Sequence, residues 1–188
     1  LNPYLRISLV FGTIAGVAMV LYFAVQQYMV GDNGLTRMTE LDVLITLLCG
    51  LFAMGYYRDR KQGGVLHFWQ GAIIGIETGV IGTLLGCAAI YVIVQWIDPS
   101  VFAGFIEKIR ESLLAALKQE HAKQNPTASV IEIIQDRLNV LPKASPATTL
   151  FFSPTSIFVK NTVIIILATG MIAALMRKNV SHLSKNKG

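Results

Sequence analysis

Apolar residues dominate the chain in four long runs, separated by short polar segments and one long amphipathic stretch. The first run covers residues 7–30 and carries no charged side chain. A membrane-crossing helix needs about 20 apolar residues, so this run predicts a first span. Its length and the lack of a small-residue cleavage site after it predict an anchor and not a cleaved leader. The chain begins on Leu, which predicts a few residues ahead of it. A polar turn with Asp32 and Asn33 follows. The second run, 41–57, sits at the short end of the spanning range, with Asp42 at its edge and Tyr56 and Tyr57 suited to an interfacial belt. The third, 66–97, is longer than a bilayer is thick and predicts tilt or protrusion. The fourth covers about 157–176, with Lys160 near its first end, where a lysine can snorkel.

Between the third and fourth runs the period changes. Asp98 and Pro99 predict a helix start, Asp98 as N-cap. Phe102, Phe105, Ile109 and Leu113 then recur at helical spacing, with charged residues on the other side. Asn125 and Pro126 break this segment. Ser129 with Glu132 predicts a capping box for a second short helix. Pro142, Pro146 and Pro154 predict an irregular return, with Phe151 and Phe152 at the membrane surface. The expected fold is therefore all-α: one polytopic membrane domain over 1–188, with four transmembrane helices and an extracytoplasmic amphipathic insertion at 98–156.

Composition supports that class. The 188 residues are 53% hydrophobic and 14% charged, against about 25% charged in an average soluble domain. A soluble globule would lack the polar side chains to cover itself. Disorder is excluded by the high hydrophobicity.

The net charge of +5 first suggests a nucleic-acid partner, but its distribution argues for topology. Arg6, Arg58, Arg60, Lys61, Arg177, Lys178, Lys185 and Lys187 fall on one side of a four-span arrangement with only Asp59 against them. The other side nearly balances. The positive-inside rule then places both termini in the cytoplasm of a bacterial inner membrane. Arg58, Arg60, Lys61, Arg177 and Lys178 act as cytoplasmic anchors, in contact with anionic lipid. The lipid bilayer is the expected partner, and nucleic acid is not.

Two constellations stand out. Gly71, Gly75, Gly79, Gly82 and Gly86 lie on one stripe of the third span at about 100° per residue. Gly12 and Gly16 repeat the theme in the first. Small residues let helix backbones approach closely, so these predict helix packing, inside the bundle or between copies. On the opposite face, Gln70, Glu77, Tyr91 and Gln95 form a polar seam. Glu77 is the one acid deep within a run. Three readings of it stay open: a structural residue bonded to a neighbouring span or water, a docking point for a partner, or a proton, ion or substrate site.

Other chemistry is thin. Cys49 and Cys87 lie inside apolar runs and predict small buried hydrophobes. The three histidines are too far apart to share a metal, and no P-loop, nucleophile elbow or dinucleotide fingerprint occurs. The expectation is no cofactor, no metal and no enzyme.

The run from Gly50 to Tyr57 and Arg58, then Gly63 and Gly64 before Phe68, the glycine-rich span, Tyr91, Ile97-Asp98-Pro99 and the Phe105-Ile106-Glu107 segment resemble a membrane-protein family of Bacteroidota, domain-of-unknown-function family 4199 (DUF4199). The resemblance covers nearly the whole chain. It departs in the stretch 127–156, which looks longer than usual. It implies a four-span inner-membrane protein and carries over no catalytic residue. The functional expectation is a non-catalytic accessory or scaffold subunit of an inner-membrane complex, meeting other subunits or further copies through transmembrane faces and the external helices. The alternative is a small oligomeric transporter or channel using Glu77. A lipid-handling enzyme, or a partner of one, is a third.

Overall fold

The computed structural model describes residues 2–31, 34–64, 66–122, 128–152 and 156–184, with side chains 36–40, 142, 152 and 176–184 left aside. Asp32, Asn33, Thr127, Pro154 and the Arg177 and Lys178 side chains therefore lie outside the described residues, as does Lys185. Six α-helices make up the fold: α1 Pro3–Ala24, α2 Gly34–Lys61, α3 Phe68–Val92, α4 Ser100–His121, α5 Ala128–Val140 and α6 Ile157–Ser184. No strand occurs among the described residues. Four segments are long and apolar enough to cross a membrane: Pro3–Met29, Leu41–Lys61, Phe68–Ile97 and Ile157–Leu175. The protein is a multi-pass, all-α membrane protein.

Direction follows from paired contacts. Gln70 meets Tyr4 and Ser8 meets Ile74, so α1 and α3 run parallel. The Tyr4 and Tyr57 rings meet at a tilt with centroids 5.1 Å apart, so α2 runs back. Gly71 faces Ala173, Gly75 faces Thr169 and Gly79 faces Ile165, so α6 is antiparallel to α3. One end of the bundle, here the basic end, gathers Arg6, Arg58, Arg60 and Lys61. At the other end Leu35, Val94, Val101, Leu150 and Ile157 form one apolar cluster with Phe23 and Ile90. Val101 belongs to the first turn of α4, and Phe102 and Phe105 pack against the same cluster. The insertion therefore caps the bundle end through its first two turns. Beyond them α4 and α5 present exposed Leu114, Val130, Ile133 and Val140.

Inside, the bundle mixes large apolar side chains with small and polar ones; its outer faces are apolar. Leu9, Val10, Ile14, Val17 and Leu21 of α1 are exposed, as are Val163, Leu167, Met171 and Leu175 of α6. Ser8, Thr46, Thr78, Thr83, Asn161 and Thr169 are buried. Lipid tails give no hydrophobic gain to helix association, so close backbone approach and interhelical polar contact must supply it. Trp69 and Trp96 are both highly exposed on α3 and its terminal π turn Ile93–Ile97. They are 27 residues apart, about 40 Å at 1.5 Å per residue. That matches the thickness of a bilayer with its headgroup regions.

Local expectations shift in three places. Asp98 does not cap α4. Its carboxylate accepts from the Ser100 and Tyr28 hydroxyls, the latter at 3.3 Å, and the helix starts at Ser100. Ser129 sits inside α5, which begins one residue earlier. Tyr57 is buried against Tyr4 and accepts from Gln62 at 2.9 Å, so only Tyr56 of the expected belt pair faces outward. Phe151 likewise packs inward, against Tyr91 and Phe158.

Candidate functional site

The glycine stripe brings three helices onto α3. Its first half faces α6, with Gly75 also meeting Met54 of α2, and its second half faces α1. A Cβ at Gly82 would lie 2.8 Å from the Ala15 Cβ, and one at Gly12 would lie 2.8 Å from the Ile81 side chain. Gly16 stands over Gly82 and Gly86, and Gly86 over Met19. At Gly82 and Gly12 a methyl group would clash with Cβ atoms of the facing helix, and at Gly16 and Gly86 the neighbouring side chains would have to shift. The stripe is internal packing, with α3 as the central helix.

The expected polar seam does not hold together as one surface. Gln70 accepts from the His67 backbone N–H at 3.3 Å and donates to the Tyr4 hydroxyl at 3.2 Å; it ties the start of α3 to α1. Tyr91 packs edge-on against Phe151 and Trp96. Gln95 is exposed at the capped end. Glu77 alone keeps an unsatisfied polar atom. It is half-buried, and its Oε2 has no hydrogen-bond partner. Ile73 and Leu84, one turn before and two turns after it on the same face, are exposed at 44% and 46%. Glu77 thus sits on the flank of α3 beside its contact with α1, half-buried and with Oε2 enclosed by the chain.

A second polar group lies inside. Asp42 is 0% exposed, with neither carboxylate oxygen bonded, and Asn161 is 0% exposed, with neither amide atom bonded. Thr83 is buried with a free hydroxyl. Stepping the α3–α6 register on one turn from the Gly79–Ile165 contact brings Asn161 level with Thr83. Thr46 approaches the Gly82 position, and its hydroxyl donates to the Asp42 carbonyl at 2.9 Å. Asp42 therefore lies one turn further toward the capped end, level with Gly86 and Cys87. The apolar cluster around Leu35 and Val101 closes that end over it.

Asp42 is the residue that sequence reasoning missed. It stands at the edge of the second span, Leu41–Lys61, as expected, but α2 begins two turns earlier, at Gly34, and the bundle buries Asp42 completely. The signal was present: Asp42, Thr46 and Gly50 fall four apart, as do Thr169 and Ala173, with Asn161 two such steps before Thr169. A polar or small residue every fourth position is the pattern already used for α3.

The remaining expected residues are placed simply. Phe102, Phe105, Ile109 and Leu113 are all partly buried on one side of α4. Arg58 is paired with Asp59 at 2.8 Å, while Arg60 and Lys61 are exposed. Cys49 and Cys87 are free thiols. No group of three potential metal ligands occurs among the described residues.

Comparison with known proteins agrees with this architecture. No curated protein matches the chain. No solved structure matches it. The family model described as a protein of unknown function, DUF4199, matches residues 10–178, which takes in most of the first span, the other three and the capping insertion. The chain belongs to the DUF4199 family.

Proposed function

We propose that this chain is a non-catalytic accessory or scaffold subunit of a bacterial inner-membrane complex, docked to its partner along the Glu77 flank of α3. One observation carries the reading: Glu77 is half-buried on the flank of α3, and its enclosed Oε2 has no bond within the chain. Hydrocarbon offers no donor. A carboxyl near the bilayer centre costs up to roughly 3 kcal/mol on the insertion scale, and a hydroxyl, amide or cation on another transmembrane helix offsets that cost. Ile73 and Leu84 extend the same flank as packing surface. The exposed apolar side of α4 and α5 gives a second contact outside the membrane. Both termini are taken as cytoplasmic, from the basic bias of that end.

The test is purification in gentle detergent. An unrelated subunit should be recovered in stoichiometric amount. Glu77→Leu should reduce its recovery about five- to thirtyfold, the loss of an interhelical hydrogen bond of about 1–2 kcal/mol. A homogeneous lone chain, or full recovery with Glu77→Leu, contradicts the reading.

The Asp42 and Asn161 pair favours a second reading, a small transporter in which Asp42 carries a proton. It is the better-placed acid for that role than Glu77, because it lies among other unpartnered polar groups inside the bundle. Proton-driven flux in liposomes that survives Asp42→Asn would exclude it.

A further inference from the structure

We infer that the groove between the start of α1 and the end of α2 binds one anionic glycerophospholipid, with its phosphate between Arg6 and Lys61. The groove has a volume of about 580 Å³ and is lined by Pro3, Arg6, Ile7, Val10, Phe11, Tyr56 and Lys61. Its chemistry is graded. The two cations stand at the basic end, where the spans emerge. Ile7 follows Arg6 directly, Val10 lies one turn deeper, and Phe11 meets Tyr56 across the two helices with ring centroids 6.1 Å apart. A headgroup and an acyl chain have this same order, polar at the interface and apolar below it.

Charge decides which lipid. Arg6 and Lys61 are exposed, and no ion pair involves either of them among the described residues. Arg58 nearby differs, being held by Asp59. No acid lines the groove, so it carries two uncompensated positive charges. A guanidinium grips phosphate oxygens in a bidentate fork, and the lysine adds a point charge. A zwitterionic lipid would bring its own cation into this field; phosphatidylglycerol does not.

The proposal stands apart from the docking of Glu77, which lies on another helix face. It is tested by titrating the purified full chain with phosphatidylglycerol or phosphatidylcholine and counting bound lipid by native mass spectrometry. Phosphatidylglycerol should bind at least tenfold more tightly. The Arg6→Ala/Lys61→Ala double variant should lose about thirtyfold in phosphatidylglycerol affinity, at about 1 kcal/mol per basic residue near the surface and 1.4 kcal/mol per tenfold. Arg110→Ala, a cation on α4 at the opposite end of the bundle, should bind as the parent does. Equal binding of the two lipids by the unmodified chain overturns the inference, whether or not the double variant folds. So does a folded double variant that keeps full phosphatidylglycerol affinity.

Discussion

At the residue scale, what matters is whether each polar or small side chain has something to meet. Gly82 and Gly55 make the contrast. A Cβ at Gly82 would strike Ala15, whereas one at Gly55 meets nothing within 4 Å. Gly82→Val should therefore force α1 and α3 apart and cost about 1–3 kcal/mol, the usual range for overpacking. Gly55→Ala should leave thermal stability in detergent unchanged or raise it, since alanine gains up to about 1 kcal/mol over glycine in a helix. Equal effects at the two positions would contradict the packing described here. Asp42 gives the opposite kind of test. Its carboxyl is buried without a partner, so an apolar isostere removes an unsatisfied group. Asp42→Leu should leave the melting temperature unchanged or higher. A large drop would show that the carboxyl is bonded in the folded protein.

At the element scale, the helices divide by how they are held. The four spans bury glycines, hydroxyls and two apolar clusters against one another. The α4 helix is anchored through Val101, Phe102 and Phe105 at the bundle end, while α5 has one buried side chain, Ile134. Amide hydrogen exchange in detergent should be slow in the first turn of α4 and faster by at least tenfold in α5, because local opening tracks buried apolar contact. Uniform protection across both helices would mean that something further covers them. Phe105→Ala should speed exchange in the first turns of α4 and leave α6 unchanged.

The elements were legible from hydropathy because each apolar run is far longer than a soluble core helix needs. Their ends were not. Where α4 begins depends on whether Asp98 caps the backbone or bonds Tyr28 and Ser100, and Tyr28 lies 70 residues away in sequence. The glycine stripe of α3 was legible as spacing on one helix. Its division between α1 and α6 depends on how helices cross, which no single-helix projection contains. The same limit dissolved the seam of Gln70, Glu77, Tyr91 and Gln95. These residues share a side of α3, but Gln70 and Tyr91 find partners on α1 and on the return segment.

At the whole-molecule scale, the bundle is a closed unit with α3 at its centre, one capped end and one basic end. The clustering of Arg6, Arg58, Arg60 and Lys61 at the basic end predicts its side of the membrane. A cysteine at Gln119 should react with an impermeant reagent in whole cells, and one at Arg60 should not; the reverse pattern would invert the topology. The interior accounts for its own glycines and most of its hydroxyls through contacts within the chain. Among the described residues the enclosed polar atoms without a partner belong to Asp42, Thr78, Thr83, Asn161, Thr162 and Glu77; Glu77 is the half-buried acid among them, on the flank of α3 that also carries Ile73 and Leu84.

The most direct measurement is therefore cross-linking in native membranes from a single cysteine at Leu84 or Ile73, on a background with Cys49 and Cys87 replaced by serine or alanine. The account predicts one discrete adduct to an unrelated membrane protein from either position. It also predicts that Glu77→Leu suppresses the adduct several-fold, and that a control cysteine at Leu167 on the outer face of α6 gives none. Lipid-facing behaviour at all three positions, with no adduct, would contradict the claim that this flank is an interface.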